Sequence, residues 1–179
     1  MILALYEHHE GVETTAGNVA VYDFDRDAAY FGAASVPGRA LVWKLEEEAG
    51  VGAKLAAPVV FDGNVELVLR CDRVDFPPGG VAYRHTHPGP GIRCLLFGSI
   101  RIESDGETHE YYAFEPWFES GPEPVLAFAS EDEETAFVRV MLLPREWEGG
   151  YVAIEAPVHD WEQITLTRRL RGQGAKRRR

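Results

Sequence analysis

The chain has 179 residues and a mass of 20.0 kDa, which suits one domain with short additions and excludes two full domains. Hydrophobic residues make up 45% of it and aromatic residues 11%, enough to build one core. No apolar run approaches the roughly 20 residues that cross a bilayer. Residues 1–6 are apolar but too short for a signal peptide, and no basic segment precedes them, so we expect a soluble cytoplasmic protein.

The formal net charge of −11 is distributed unevenly. From Arg168 onward there are seven basic residues and no acidic ones; removing these seven from the 18 basic residues leaves 11 against 29 acidic residues, a formal charge of −18. A body this acidic repels nucleic acid. The basic C-terminal tail either binds a polyanion or is a solvated, mobile end. Cys71 and Cys94 lie in apolar runs, which predicts buried thiols and no disulfide framework.

Residues 1–63 are predicted to form an extension that precedes the main domain. Within it, residues 19–22 predict a short strand. Residues 43–49, followed by Gly50, predict a short helix that ends at a glycine. The glutamates of this segment are interpreted as its solvent-exposed face.

From residue 64 the pattern changes to short β-rich runs separated by turn residues. An Asp-Gly pair at the centre of residues 104–107 predicts a hairpin. This spacing predicts one all-β sandwich or barrel over residues 64–144, and no internal repeat indicates a second. The predicted strands are residues 65–76, 81–87, 92–97, 99–103, 109–112, 117–119, 125–129 and 136–143.

Residues 145–179 are predicted to be a C-terminal arm that ends in the basic tail. Trp147, Tyr151 and Trp161 are expected to pack this arm onto the barrel. Residues 165–170 fit either a final strand or a helical turn.

A His-x-His pair dominates the turn-rich stretch of residues 77–98. Because side chains alternate along a strand, Tyr83, His85 and His87 are predicted to share one face. Two such imidazoles can reach one metal ion at about 2.0–2.1 Å.

Residues 80–98 resemble the first conserved motif of the cupin superfamily: Gly, five residues, His-x-His, three or four residues, Glu, six residues and Gly. Gly80 (or Gly79), His85, His87 and Gly98 fill the matching places. The Glu place falls on Gly91, which has no side chain. The resemblance implies a single cupin-type barrel, a jelly roll, with both histidines in its pocket.

The second cupin motif, in which a Pro-x-Gly turn precedes a further His, is matched in residues 113–130 by Gly121. Glu119 stands at the Pro place, and the His place falls on Pro124 or Val125. Two of the superfamily's four metal ligands are therefore absent. The resemblance covers roughly residues 64–144.

Two imidazoles hold a divalent metal weakly, so a third protein ligand is needed. Glu119 is the preferred candidate because it ends a strand, and Glu123 and His159 are alternatives. With His85 and His87, Glu119 would make a two-His-one-carboxylate site for a divalent ion such as Fe, Mn, Ni or Zn.

Arg93 is predicted to face inward beside Leu95 and Phe97, unless a bulge turns it outward. A buried guanidinium needs an anionic partner. Glu119 and the carboxylate of a bound substrate are the two candidates. Tyr83, next to His85, is interpreted either as a catalytic proton donor or acceptor or as an aromatic residue at the barrel rim.

These residues support three hypotheses. The first is a divalent-metal-dependent enzyme that acts on a small carboxylate-bearing substrate, with Arg93 and Tyr83 as catalytic residues and an oxygenase preferred. The second is a non-catalytic small-molecule-binding or sensing cupin with weak or no metal. The third is an interaction module that acts through the basic tail. The resemblance, with the apolar residues 1–6 and an open sheet edge, also predicts a homodimer.

Overall fold

The computed structural model describes residues 1–61 and 65–147, and the backbone of residues 162–169. Sixteen β-strands and one short 3-10 turn, Arg145–Trp147, occur in this described part. The strands form three antiparallel sheets and a two-stranded ribbon. No helix among the described residues has the length and apolar character needed to cross a membrane.

Residues 1–58 form a five-stranded sheet, here called the N-terminal sheet, with strand order β4-β3-β6-β1-β7. The ribbon of β2 and β5 accompanies it. The strands are β1 Ile2–His8, β2 Val12–Thr14, β3 Val19–Asp23, β4 Ala28–Phe31, β5 Ala34–Val36, β6 Ala40–Glu46 and β7 Leu55–Pro58.

The strand predicted at residues 19–22 is confirmed, but the helix predicted at residues 43–49 is wrong. This segment belongs to β6, which pairs with β1 on one side and β3 on the other. Trp43 faces one side of the sheet and Val42 the other, and both are fully buried. Because both faces of β6 are covered, its sequence is a continuous apolar run without the alternation of a half-exposed strand.

The chain then forms two sheets that face each other. The central sheet has the order β13-β10-β15-β8-β16, and the outer sheet has the order β12-β11-β14-β9. The strands are β8 Leu67–Phe76, β9 Val81–His85, β10 Gly91–Phe97, β11 Ser99–Ser104, β12 Glu107–Tyr112, β13 Pro116–Glu119, β14 Val125–Ala129, β15 Thr135–Pro144 and β16 Glu162–Arg169.

From β8 to β15 the chain crosses repeatedly from one sheet to the other, with β11 and β12 joined as a hairpin. Such a path through two antiparallel sheets defines a jelly roll. The predicted turn lies between β11 and β12, where Asp105 and Gly106 have φ angles of 56° and 79°. Two successive residues with positive φ give the hairpin turn that an Asp-Gly pair favours. The all-β prediction is therefore confirmed.

The N-terminal sheet packs on the outward face of the central sheet and makes the largest apolar cluster. Trp43 lies at its centre and donates from Nε1 to the carbonyl of Ile92 at 3.1 Å. Both cysteines are buried thiols in this cluster, as predicted. Its buried members include Leu3, Leu5, Tyr22, Leu41, Trp43, Leu69, Cys71, Ile92, Cys94, Val138, Val140 and Leu142.

A second apolar cluster fills the barrel between the central and outer sheets. Leu95, Ile100, Trp117, Val125 and Phe137 are among its buried members. Phe97, predicted to line the barrel, is instead 40% exposed. A register irregularity between Leu95 and Phe97 on β10 breaks the simple alternation there.

A third, smaller cluster of Val68, Met141 and Leu143 is covered by Trp147, in agreement with the predicted packing of this tryptophan. Residues 165–169 are part of the strand β16, which pairs with β8. Tyr151, His159, Trp161 and residues 170–179 of the basic tail lie outside the described residues.

Candidate functional site

Two rows of side chains on the barrel-facing side of the central sheet carry charge. The strand register aligns Trp117, Arg93, Arg139 and Asp72 across four neighbouring strands. The next row contains Glu119, Gly91, Met141 and Arg70. We call Arg70, Asp72, Arg93, Glu119 and Arg139 the charged band.

The charged band is almost completely buried. Asp72 is fully buried, and Arg93, Arg70 and Arg139 are 1%, 5% and 6% exposed. Asp72 Oδ2 accepts from Arg139 Nε at 3.0 Å and from Arg70 Nε at 3.1 Å. One carboxylate therefore bridges two guanidiniums, because burying these charges requires opposite charge at short range.

Arg93 faces inward, as predicted, and of its two predicted partners Glu119 is the one in contact. Arg93 Nη2 lies 2.6 Å from Glu119 Oε2, and Arg93 Nη1 donates to the carbonyl of Gly91 at 2.7 Å. Trp117 Nε1 donates to Glu119 Oε1 at 2.8 Å. Glu119 Oε1 is thus hydrogen-bonded, whereas the buried Oε2 is ion-paired with Arg93 but has no hydrogen bond in the described part of the chain.

Gly91 leaves the space that the Arg93 guanidinium needs. A Cβ atom on Gly91 would lie 2.6 Å from the carbonyl oxygen of Val140, 2.7 Å from Cγ of Met141 and 3.1 Å from Nη1 of Arg93. No side chain fits at this position without a shift of the backbone. The place of the cupin glutamate is therefore closed in this chain.

His85 and His87 lie beside the charged band, with ring centroids 4.8 Å apart and planes at 84°. The predicted strand of residues 81–87 is too long, because β9 ends at His85. His87 follows in the loop, where its backbone N–H donates to the carbonyl of Gly121 at 2.7 Å. The sequence prediction that the two rings lie together is confirmed, although they do not share one strand.

Tyr83 does not share the face of His85, so this part of the sequence prediction is wrong. On β14, Val125 pairs with His85 and Ala127 pairs with Ala82, so two residues of β9 oppose the single Leu126. This extra residue is a β-bulge, which interrupts the alternation of side chains. Tyr83 is 44% exposed as a result. We do not include it in the site.

The ring nitrogens of the two histidines have different partners. His85 Nδ1 lies 2.7 Å from the carbonyl oxygen of Tyr83. His87 Nε2 lies 3.2 Å from Glu119 Oε2. Burial lowers the pKa of His87 to about 3, helped by the positive charges of Arg93 and Arg139 and opposed by Glu119. Burial also lowers the pKa of His85. Both rings are therefore neutral at pH 7.

The charged partners of the band keep their charges. Burial alone would raise the pKa of Glu119, but Arg93, His87 and Trp117 hold it well below its ordinary value. Burial lowers the pKa of Arg93 to about 10, while Glu119 opposes this shift. Arg93 and Glu119 are therefore both charged at pH 7, and their charges neutralise each other.

This donor set does not fit a divalent metal ion. Among the described residues, no group of three or more His, Cys, Asp or Glu side chains could hold one. Glu119, predicted as the third ligand beside His85 and His87, is paired with Arg93. Glu123 has a buried Oε2 without a hydrogen-bond partner in the described part of the chain, but it is not grouped with the histidines as a metal site.

Sequence reasoning missed Arg70, Asp72 and Arg139. The signal was present in each strand: Arg139 interrupts the apolar β15, and Arg70 and Asp72 interrupt the apolar start of β8. A charged residue inside a strand that is otherwise buried is informative, because arginine and aspartate are rarely buried without partners.

A cleft of about 460 Å³ lies elsewhere, on the face of the outer sheet that points away from the barrel. Arg101 dominates it and already contacts two neighbours: its guanidinium lies 4.1 Å from the ring centroid of Phe128 and 2.6 Å from Glu103. Because Arg101 is paired within the surface, we do not assign a ligand to this cleft.

No protein-family model matches the chain, and no curated protein matches its sequence. Several solved structures are similar to it. An RmlC-like cupin from Shewanella frigidimarina is 15% identical with a TM-score of 0.38, over 49% of this chain and 92% of that one. A cupin protein from Bacteroides fragilis is 21% identical with a TM-score of 0.39, over 50% and 77%. An oxalate oxidase is 15% identical with a TM-score of 0.38, over 79% and 87%.

The neighbours from Shewanella and Bacteroides are named as cupins. The likeness concerns the fold alone. The class that the strand pairing defines is an all-β protein with a jelly-roll barrel, covered on one side by a further sheet.

Proposed function

We propose that this protein binds a small carboxylate-bearing molecule at the charged band without a metal ion. The observation that carries the proposal is the state of Arg139. Its side chain is 7% exposed, and only Nε has a protein partner, Asp72. The two terminal nitrogens donate to no residue in the described part of the chain.

Neither terminal nitrogen is among the buried atoms that lack a partner in the described part of the chain, so both are open to solvent, where a ligand can meet them. A guanidinium presents its donors as a rigid fork that matches the two oxygens of a carboxylate. The guanidinium of Arg139 is also a positive charge, which favours an anion beside it. Both features support a ligand carboxylate at Arg139, which takes the role that the sequence analysis gave to Arg93.

This proposal corresponds to the second sequence hypothesis, a binding or sensing protein. We do not propose a metal-dependent oxygenase, because the donor set lacks a third metal ligand. The homodimer and the polyanion-binding tail stay predictions from the sequence.

Isothermal titration calorimetry with the purified full chain tests the proposal. The probes are propionate, succinate and inorganic phosphate. We expect propionate or succinate to bind, and Arg139→Met to weaken that binding at least 10-fold, because a charged hydrogen-bond pair contributes about 1.5–3 kcal/mol. Arg139→Lys keeps the charge but loses the fork, so its affinity should lie between those of the wild type and Arg139→Met.

Arg101→Met is the matched control, since Arg101 lies on the opposite face of the outer sheet and is paired with Glu103. Binding of phosphate in preference to carboxylates would reject the carboxylate assignment. Elemental analysis of untagged protein tests the metal-free part of the proposal. Near-stoichiometric metal that disappears in His85→Ala would overturn it.

A further inference from the structure

The side chains of His87 and Glu119 are spaced like two neighbouring ligands of a metal ion. His87 Nε2 lies 3.2 Å from Glu119 Oε2. Two ligands of one ion lie about 3.0–3.4 Å apart, because each bond is about 2.0–2.2 Å long and the angles are those of an octahedron or a tetrahedron. The ring of His85 is next to that of His87, with centroids 4.8 Å apart. The spacing alone therefore does not explain why these residues form no metal site.

The guanidinium of Arg93 provides the explanation. Its Nη2 lies 2.6 Å from Glu119 Oε2, which is the same oxygen that faces His87. A metal ion on this oxygen would compete with Nη2 for its lone pairs and would meet a full positive charge at short range. Arg93 is only 1% exposed, so its side chain has no solvent to turn into and cannot make room for an ion.

The contact between Arg93 and Glu119 is ionic. Glu119 Oε2 is buried, yet it has no hydrogen bond in the described part of the chain, whereas Arg93 Nη1 donates to the carbonyl of Gly91. A buried carboxylate needs a positive charge beside it. Arg93 supplies that charge at short distance, which is the electrostatic role that a metal ion would otherwise have.

Gly91 and Arg93 are coupled by the space between them. A Cβ atom on Gly91 would lie 3.1 Å from Nη1 of Arg93 and 2.6 Å from the carbonyl oxygen of Val140. A glutamate at this place of the motif and an inward-facing arginine two residues later therefore exclude each other on β10. Loss of one negative charge and gain of one positive charge change the local charge by two units, which is the charge of one divalent ion.

We infer that the Arg93 guanidinium takes the place of a divalent metal ion in this barrel. It is a fixed internal cation that holds Glu119, and it excludes metal ions from His85 and His87. Arg93 is thus a positioning residue and is not available to a ligand, in agreement with the assignment of the ligand to Arg139. The inference shares the metal-free part of the proposed function but does not require a bound carboxylate.

Titration of the purified, untagged full chain with Co²⁺, followed by visible absorption and calorimetry, tests the inference. Arg93→Met removes the charge and leaves His85, His87 and Glu119 in place. We expect Co²⁺ to bind this variant about 10-fold or more tightly than the wild type, because a positive charge beside the ion has been removed. Arg93→Lys keeps a positive charge and should exclude Co²⁺ as the wild type does.

A second variant covers the case in which Arg93→Met does not fold. Arg93→Gln is also neutral, but its amide can donate to Glu119 Oε2. Addition of Co²⁺ should raise the melting temperature of either variant, since an ion that binds the folded state stabilises it. Arg93→Met/Glu119→Gln lacks the carboxylate and should not gain Co²⁺ binding. Arg101→Met is the matched control, because Arg101 also pairs with a glutamate, at 2.6 Å, but on the surface.

The outcomes separate this inference from the proposed function. Co²⁺ binding by the wild type that is lost in His87→Gln would overturn the inference and the metal-free part of the proposed function. No gain of Co²⁺ binding by folded Arg93→Met or Arg93→Gln, or an equal gain by Arg101→Met, would overturn the inference alone. If the Arg93 variants gain Co²⁺ binding but the wild type binds neither propionate nor succinate, the inference stands and the proposed function fails.

Discussion

The two faces of the central sheet are built from the same strands but bury different kinds of side chain. On the face toward the N-terminal sheet, β8, β10 and β15 contribute Leu69, Cys71, Ile92, Cys94, Val138, Val140 and Leu142, all apolar. On the face toward the barrel, the positions between them hold the charged band, with apolar clusters on either side of it.

The two faces of each strand therefore have different roles: one face stabilises the fold, and we relate the other to function. The apolar face gains free energy from each buried side chain and needs no partner of defined geometry. The charged band gains little, because the desolvation of each charge offsets its pairing. A protein that needed only a stable barrel would have no reason to bury three arginines. The inner face is therefore the part of the sheet that we relate to ligand binding.

Breaking the apolar face should have the largest effect on stability. Trp43→Ala removes a fully buried indole and leaves the carbonyl of Ile92 without its donor. We expect the free energy of unfolding to fall by about 3–5 kcal/mol, measured by urea denaturation. Val60→Ala, at a position that is 91% exposed, should change it by less than about 0.5 kcal/mol. A similar loss in both variants would contradict the packing described for the N-terminal sheet.

Removing one charge from the charged band should lower the free energy of unfolding almost as much as Trp43→Ala. Glu119→Gln leaves the buried guanidinium of Arg93 without its counter-charge, and we expect a loss of about 3–5 kcal/mol. The double variant Arg93→Met/Glu119→Gln should recover much of this loss, since no unpaired charge remains. Urea denaturation of the two variants and of Arg93→Met alone completes the cycle. A double variant less stable than Glu119→Gln would show that the pair is not the origin of the effect.

A fall in pH should destabilise the protein through His87 and Glu119, on the barrel-facing side of the central sheet. The pKa of His87 is about 3 in the folded protein and about 6.5 in an unfolded chain, so the unfolded state binds more protons between these values. Its contribution to stability is complete above pH 6.5 and is lost as the pH falls toward 3, by at most about 1.4 kcal/mol per pH unit. The lowered pKa of Glu119 adds a loss in the same direction below its unfolded value of about 4.3.

Urea denaturation of the wild type and of His87→Gln at several pH values between 7 and 4 measures this dependence. We expect the variant to lose stability less steeply as the pH falls. His109→Gln, which alters an exposed histidine, should follow the wild type. Parallel slopes for wild type and His87→Gln would mean that other groups control the acid sensitivity.

The smallest effect is expected at Tyr83, which the β-bulge places outside the site. Tyr83→Phe should change the free energy of unfolding by less than about 0.5 kcal/mol, as is usual for surface substitutions. Titrations of this variant with propionate or succinate should give the wild-type affinity. A strong loss of affinity would return Tyr83 to the binding site.

Much of the barrel could be predicted from the sequence because its strands are short and separated by turn residues. The Asp-Gly hairpin was found because this dipeptide favours the two positive φ angles of the turn. The N-terminal sheet was largely missed. In β6 the run around Trp43 is apolar on both sides, and such a run does not distinguish a buried strand from a helix.

The site was predicted in part. The structure brings together four of the predicted residues: His85, His87, Arg93 and Glu119. The sequence could predict this because the alternation of β10 and the His-x-His spacing direct side chains toward the interior of one barrel. Tyr83 was misplaced because a β-bulge cannot be seen in local sequence. Arg139 was missed because its importance depends on Arg93 and Asp72, which are its neighbours only across strands.

The sequence by itself determined that this chain forms an all-β barrel, with two histidines and an arginine in its interior, because periodicity and turn residues are local properties. Only the tertiary structure decided what those residues do. It pairs Arg93 with Glu119, closes the place of the missing glutamate at Gly91 and leaves Arg139 with unused donors. These outcomes depend on contacts between strands that are distant in sequence, and the balance of charge in the interior follows from those contacts alone.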